Sequence, residues 1–256
     1  MRRLVRESAA IAQIELLKLR RDPTEVMTRA VQPVLWLVVF GQVLGRARGL
    51  YEGPVGYLAF LTPGILAQSV LFSAIFYGIG AIWEKDLGVV HKLLVSPALR
   101  TSLVLGKVVA AGFRGLVQAT VIYVLAALLH VAVRTDPLAV LGVVVAVVLG
   151  SATFATFSLV IACIVKTRER FMGIGQVMTM PLFFASNAIY PIELMPPWLR
   201  VIAHGNPLSY LVDALRGLMI VGGQSVHGFA LDAAVLVVAF AGLLAVAVRL
   251  YPTLVE

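Results

Sequence analysis

The chain has 256 residues and a formal net charge of +8, and it is 60% hydrophobic but only 13% charged. A water-soluble domain carries about a quarter charged residues, and here the apolar residues stand in long blocks, so the solvent is a bilayer and a soluble globular fold is excluded. The positive charges lie between the apolar blocks, not on one exposed face, which argues against nucleic acid as a partner.

Residues 1–22 read as an N-terminal amphipathic interface helix. Leu4, Ala10, Ile11, Ile14 and Leu17 fall on roughly one face, and charges fill much of the rest. Such a helix suits the headgroup layer; the alternative is a helix packed on a cytosolic partner. Glu7, Glu15, Lys18, Arg20 and Arg21 break up the apolar run that a cleavable signal peptide needs. Asp22-Pro23-Thr24-Glu25 then carries the residues of a new helix N-terminus.

Residues 23–256 read as one all-α, polytopic transmembrane domain. Six spans are expected at about 26–44, 55–82, 103–133, 138–165, 171–190 and 229–248, each near or above the roughly 20 residues a helix needs to cross. Lysine and arginine set the orientation. With the N-terminus inside, the inner segments hold fifteen of them and the outer segments five, namely Arg46, Arg48, Arg134, Arg200 and Arg216. The positive-inside rule therefore predicts cytoplasmic termini.

Two connections are unusual. The inner loop at about 84–95 has helical period, with Leu87, Val90 and Leu94 as an apolar edge and Glu84, Lys85, Asp86, His91 and Lys92 as a charged surface. A short helix of this kind docks in a partner's groove or rests on headgroups. Ser96-Pro97 follows as a cap for the next helix. The outer segment at about 192–221 is apolar but punctuated by Pro196-Pro197 and Asn206-Pro207 and interrupted by Asp213 and Arg216. Two short helices re-entering the outer leaflet fit it best.

Motifs for chemistry are missing. No G-x-x-x-x-G-K-[ST] phosphate loop and no G-x-S-x-G occurs. His91, His130, His204 and His227 are scattered without metal-ligand spacing, so no catalytic or metal residue is expected. Cys163 sits in an apolar block and reads as packing. No acidic residue lies mid-span, which disfavours proton or sodium coupling. Lys107, Arg114 and Gln118 share one face of the third span, as a substrate or lipid-headgroup contact, a strut to another helix, or cations snorkelling from a tilted end. Ser151 with Ala155, and Ser158 with Ala162, mark close helix packing.

Four stretches carry a family resemblance: Gln32-Pro33 with Leu35-Trp36 to Phe40-Gly41; Tyr57 to Gly64; Glu84 to Lys107; and Pro181 to Pro191 leading through Met195-Pro196-Pro197-Trp198-Leu199 to Asn206 to Arg216. In these the chain resembles the type-2 ABC exporter permeases, a family that includes daunorubicin-type drug efflux and lipid or polysaccharide export subunits. Asn187 departs from it, at a place where a small residue is usual.

The resemblance implies a half-transporter that binds no cofactor itself. Two copies would pair with two copies of a cytosolic ATPase that holds ATP and Mg, in the cytoplasmic membrane of a bacterium. It further implies export of an amphiphile, with multidrug efflux and antibiotic resistance among the possible roles. Glu84, Lys85, Asp86, Leu87, Val90, His91 and Leu94 would couple to the ATPase. Trp198, Leu199, Asn206, Pro207, Tyr210, Asp213 and Arg216 would belong to an outer gate. Lys107, Arg114, Gln118 and Asn187 would be candidates for substrate or lipid contact. A non-ABC channel or assembly factor is the alternative.

Overall fold

A computed structural model describes residues 2–21, 28, 31–45, 55–95 and 99–254; within these, the side chains of residues 2–5, 16, 18–21, 76 and 94 lie outside the description. The helix start expected at Asp22 to Glu25, the opening of the first span, the Ser96-Pro97 cap and the Leu94 side chain therefore fall outside the described residues.

Among the described residues the chain is helical apart from one isolated antiparallel bridge, Val133 to Ile220. In chain order the helices are α1 (Arg2–Arg21), α2 (Val31–Leu44), α3 (Tyr57–Asp86), α4 (Val89–Val95), α5 (Arg100–Leu128), α6 (Pro137–Val165), α7 (Arg168–Phe184), α8 (Pro197–Gly205), α9 (Pro207–Met219) and α10 (Phe229–Leu250). A 3-10 turn, Tyr251–Leu254, extends α10. Among the described residues four helices are long and apolar enough to cross a membrane: α3, α5, α6 and α10 with its extension. Helix α2 is apolar but shorter, and α7 has 17 residues.

Local chemistry sets the boundaries. Pro137 occupies the first turn of α6, where its missing N–H costs nothing, and the Asp136 carboxylate accepts from the Ala139 amide at 3.0 Å. Asn206-Pro207 repeats the device at α9, with the Asn206 side chain accepting from the Leu208 amide at 3.0 Å. Inside α3, Pro63 cannot donate, and Thr62 Oγ1 bonds instead to the Leu58 carbonyl at 2.7 Å. Trp36–Phe40 of α2 forms a π-turn, with Trp36 stacked on Phe40 at 4.6 Å and edge-on to Phe183 at 5.8 Å.

Helix α3 is the centre of the bundle: its apolar window is 82% buried, against 17% for α10. It crosses α6 where small residues let the backbones meet. Ser158 Oγ bonds the Ile75 carbonyl at 2.6 Å, and a Cβ on Gly78 would strike the Phe171 ring and the Ser158 carbonyl. Two turns earlier on α6, a Cβ on Gly115 would meet Ser151 Oγ. The core falls into two clusters. One runs from Leu37, Phe60 and Leu61 to Leu208, Leu211 and Leu215. The other gathers Ile82, Val90, Leu103, Phe171, Tyr251 and Leu254. The first lies at the face carrying α8 and α9, here the hairpin face; the second lies at the opposite face, here the elbow face.

Two elements differ from expectation. The helix expected across 84–95 is two pieces: α3 runs on through Asp86, the chain turns at Leu87 and Gly88, and only Val89–Val95 forms a separate helix. Gly88 has φ +71°, a left-handed conformation that glycine adopts without a Cβ penalty. Helix α1 is amphipathic but splits its apolar set. Ser8, Ala12 and Glu15 are buried against α5, and Ile11 abuts Gly106, whereas Ala10, Ile14 and Leu17 face outward. Those three recur at i, i+4 and i+7, so the stripe turned away from the bundle is the apolar one.

Candidate functional site

The elbow face is laced by ion pairs. At the end of α3, Glu84 takes the Lys107 ammonium of α5 at 2.5 Å, and Asp86 takes Arg168, the first residue of α7, at 2.5 and 2.8 Å. The Arg168 guanidinium also lies 3.6 Å from the Trp83 ring centroid, and Lys85 Nζ reaches the Lys166 carbonyl at 3.4 Å. The last turn of α3 is thereby tied to α5, to the end of α6 and to α7. Of the residues expected to couple to an ATPase, Glu84 and Asp86 are thus engaged within the chain. Val90 is 0% exposed, in the core with Leu103 and Phe171. It is not on an outward edge, because the turn at Gly88 rotates α4 and points Val90 inward. The most outward apolar positions are Leu87, 69% exposed, and Val95, 87% exposed, with Val89, His91 and Lys92 also exposed between them.

Helix α1 belongs to the same face. The Glu7 carboxylate accepts from the Leu99 amide and from Ser102 Oγ, both at 2.9 Å. Glu15 lies 3.9 Å from Arg114 on α5, and the guanidinium of Arg114 is 5.0 Å from the Tyr77 ring. Of the readings that the sequence left open for Lys107 and Arg114, the geometry matches a strut. Gln118, on the same face of α5, is buried, and its Oε1 has no hydrogen-bond partner among the described residues.

The hairpin face is built around α9, which is buried along almost its whole length. Arg216 donates to the Asn187 carbonyl at 2.7 Å and stands 3.9 Å above the Phe60 ring. Asn206 donates to the carbonyls of Leu182 and Ala185 at 2.6 and 3.1 Å, closing the end of α7. Tyr210 Oη bonds the His204 carbonyl at 2.8 Å. Gly64 of α3 permits the closest approach: a Cβ there would lie 2.2 Å from the Ala188 carbonyl oxygen. Pro207 is half-buried, whereas α8 turns Trp198, Val201 and Ile202 outward and leaves Leu199 partly covered. The expected gate residues are thus of two kinds, an inserted set on α9 and an outward set on α8.

Sequence reasoning set His227 aside, but the fold carries it to Asp213. The Asp213 carboxylate, fully buried, accepts from the amides of Val226 and His227 at 3.1 and 2.9 Å and from Ser225 Oγ at 3.2 Å, with His227 Nδ1 at 3.0 Å. Ser225 Oγ also lies 2.9 Å from Asp232 of α10. Ligating atoms of Asp213, His227 and Asp232 fall within 4.8 Å of one another, a grouping able to hold a cation. Nothing at the level of spacing signalled it, because the three sit on different elements.

Four helices long and apolar enough to span among the described residues, an elbow at one face and a helical hairpin at the other define a polytopic helical membrane protein. Residues 6–220 match the ABC-2 type transporter family model, and the chain belongs to that family. It is a multi-pass membrane transport subunit of the permease kind, and the permease is not itself the catalytic subunit. It is 28% identical over 220 residues to a putative transport permease ycf38 of Pyropia yezoensis, covering 84% of this chain and 74% of the relative. A ycf38 permease of Cyanophora paradoxa is 26% identical over the same shares. Nodulation protein J of Rhizobium leguminosarum bv. viciae is 26% identical over 213 residues, with 82% and 80% covered.

Proposed function

We propose that the chain is the membrane half of an ATP-driven exporter in the cytoplasmic membrane of a bacterium, with both termini cytoplasmic. Two copies pair with two copies of a cytosolic ATPase, which holds ATP and Mg, and the assembly moves an amphiphile (a drug, lipid or glycolipid) outward by alternating access. Multidrug efflux and antibiotic resistance are roles that such cargo would give it. The observation that carries this reading is the elbow. The turn and helix α4 present Leu87, His91, Lys92 and Val95 outward, while the end of α3 that leads into them is tied by ion pairs to α5 and α7. A push on α4 is therefore passed to several helices at once, which is what coupling to a partner's nucleotide-driven closure requires. The hairpin of α8 and α9 serves as the gate at the exit face. Co-expression with the ATPase, followed by purification and assay in inverted vesicles, tests this. Nucleotide-dependent uptake of an amphiphile is expected. Uptake that is equal without the ATPase, or a complex holding a single permease, would count against it.

A further inference from the structure

A cavity of about 110 Å³ lies inside the bundle, lined by Gln32 and Pro33 of α2, Gln68, Phe72 and Ser73 of α3, and Gln118 of α5. Gln68 follows the start of α3 at Tyr57 by eleven residues, and Gln118 precedes the end of α5 at Leu128 by ten. At 1.5 Å per residue both lie roughly 15 Å from the hairpin-face ends of their helices, near the middle of a ~30 Å hydrocarbon core.

Two primary amides are buried in the lining, and one of them holds an orphaned oxygen. Gln68 and Gln118 are each 3% exposed, and Gln118 Oε1 has no hydrogen-bond partner. Buried polar groups are ordinarily paired, and at membrane depth no bulk water is at hand to satisfy them. The lining also carries no charge. The two cations that share the Gln118 face of α5 are engaged elsewhere, Lys107 by Glu84 and Arg114 by Glu15. An ion entering the cavity would meet no counter-charge, and an unpaired ion in a low-dielectric site is very costly. A primary amide, by contrast, both donates and accepts, so two of them suit an uncharged group that does the same. Phe72 adds an apolar wall.

We propose that this cavity is a subsite for the head group of the transported amphiphile, and that it takes an uncharged group bearing amide or hydroxyl functions. This rests on the export reading above. The cavity is smaller than the ~150 Å³ void that holds benzene, so it admits an N-acyl or vicinal-diol end, with the tail left to the lipid.

The test uses the full chain in lipid nanodiscs and three fluorescent amphiphiles of equal chain length: an N-acyl glucamide, an alkyltrimethylammonium and an alkyl sulfate. The glucamide should bind saturably and at least tenfold tighter than either ion. Gln118→Leu and Gln68→Leu should each weaken it about tenfold, or about 1.4 kcal/mol, and Gln118→Asn should retain part of the affinity. Gln118→Leu should also melt no lower than the parent, because it replaces an orphaned amide with a hydrocarbon. Preference for either ion, or unchanged glucamide affinity in both leucine variants, would leave the cavity a water pocket and overturn the proposal. A lower melting point in Gln118→Leu would reveal a structural partner for the amide and overturn it equally. Vesicle assays with the ATPase separate the two readings. Nucleotide-driven movement of any probe independent of Gln118 removes the subsite and keeps the exporter. Tight, Gln118-dependent binding with no nucleotide-driven movement of any probe ends the export reading alone.

Discussion

Arg216 of α9 donates to the backbone carbonyl of Asn187 at 2.7 Å, so a buried cation on the inserted hairpin helix fastens the segment that follows α7. The same guanidinium covers the Phe60 ring of α3 at 3.9 Å. A hydrogen bond from a charged group contributes about 1.5–3 kcal/mol, and a desolvated cation–π contact about 2 kcal/mol. Arg216→Met should therefore lower stability by about 3 kcal/mol in a detergent melt. Arg216→Lys, which keeps charge but loses the planar fork, should recover about half. Equal melting of all three proteins would show that the contact carries no stability.

Gly64 leaves room only for hydrogen beside Ala188, whose carbonyl oxygen would stand 2.2 Å from an added Cβ. The obstacle is backbone, which cannot rotate away. Gly64→Ala should destabilise the hairpin face by about 1–3 kcal/mol, the usual range for overpacking. Gly173→Ala, where nothing lies within 4 Å, is the control and should melt like the parent. The comparison fails if the two alanine variants behave alike.

On the elbow, exposure divides the apolar residues into two classes. Leu87→Asp and Val95→Asp change outward positions and should leave folding intact while ATPase association falls at least tenfold. Val90→Asp places a charge in the core beside Leu103 and Phe171 and should cost several kcal/mol and abolish the folded protein. Pull-down of the ATPase set against thermal melting separates the effects. Normal association by both outward variants would mean that α4 rests on the membrane instead.

Glu15 and Arg114 join α1 to α5 at 3.9 Å. Glu15→Gln leaves the partly buried guanidinium with weaker compensation and should loosen α1 by about 1–3 kcal/mol, below the loss for a tight buried pair because the separation is long. Protease should then cleave within α1 faster, with the spans unaffected. Unchanged cleavage would show that the Glu7 contacts to Leu99 and Ser102 hold the helix alone.

Much of this architecture was legible because its signals are local. Apolar blocks mark the long helices, and Pro196-Pro197 and Asn206-Pro207 mark the hairpin, whose helices begin at Pro197 and Pro207. The turn at Gly88 was legible too, had the glycine been weighed above the helical period around it. What the sequence could not show is which side chains meet across elements. Glu84 with Lys107, Glu15 with Arg114, and His227 with Asp213 are pairings made by packing, and no spacing encodes them. Charges that look free for a partner in the sequence are, in the fold, largely spent on the chain itself. Gln118 shares its face with Lys107 and Arg114, yet only the cations find carboxylates.

The bridge between Val133 and Ile220 has a mechanical meaning. Arg134 donates to the Met219 carbonyl at 2.7 Å, and Val221 donates to the Ala132 carbonyl at 3.0 Å, so the end of α9 is stapled to the connection between α5 and α6. An outward swing of α9 must either break both bonds or drag that connection with it. Helix α8 is fastened at its two ends, by Arg200 donating to the Glu193 and Met195 carbonyls at 3.0 and 3.3 Å and by Tyr210 Oη at the His204 carbonyl, while its outward side, with Trp198, Val201 and Ile202, stands clear. If the hairpin face is the exit, as proposed above, α9 would be the fixed jamb of the doorway and α8, with its apolar side already turned to the lipid, the leaf that opens against it.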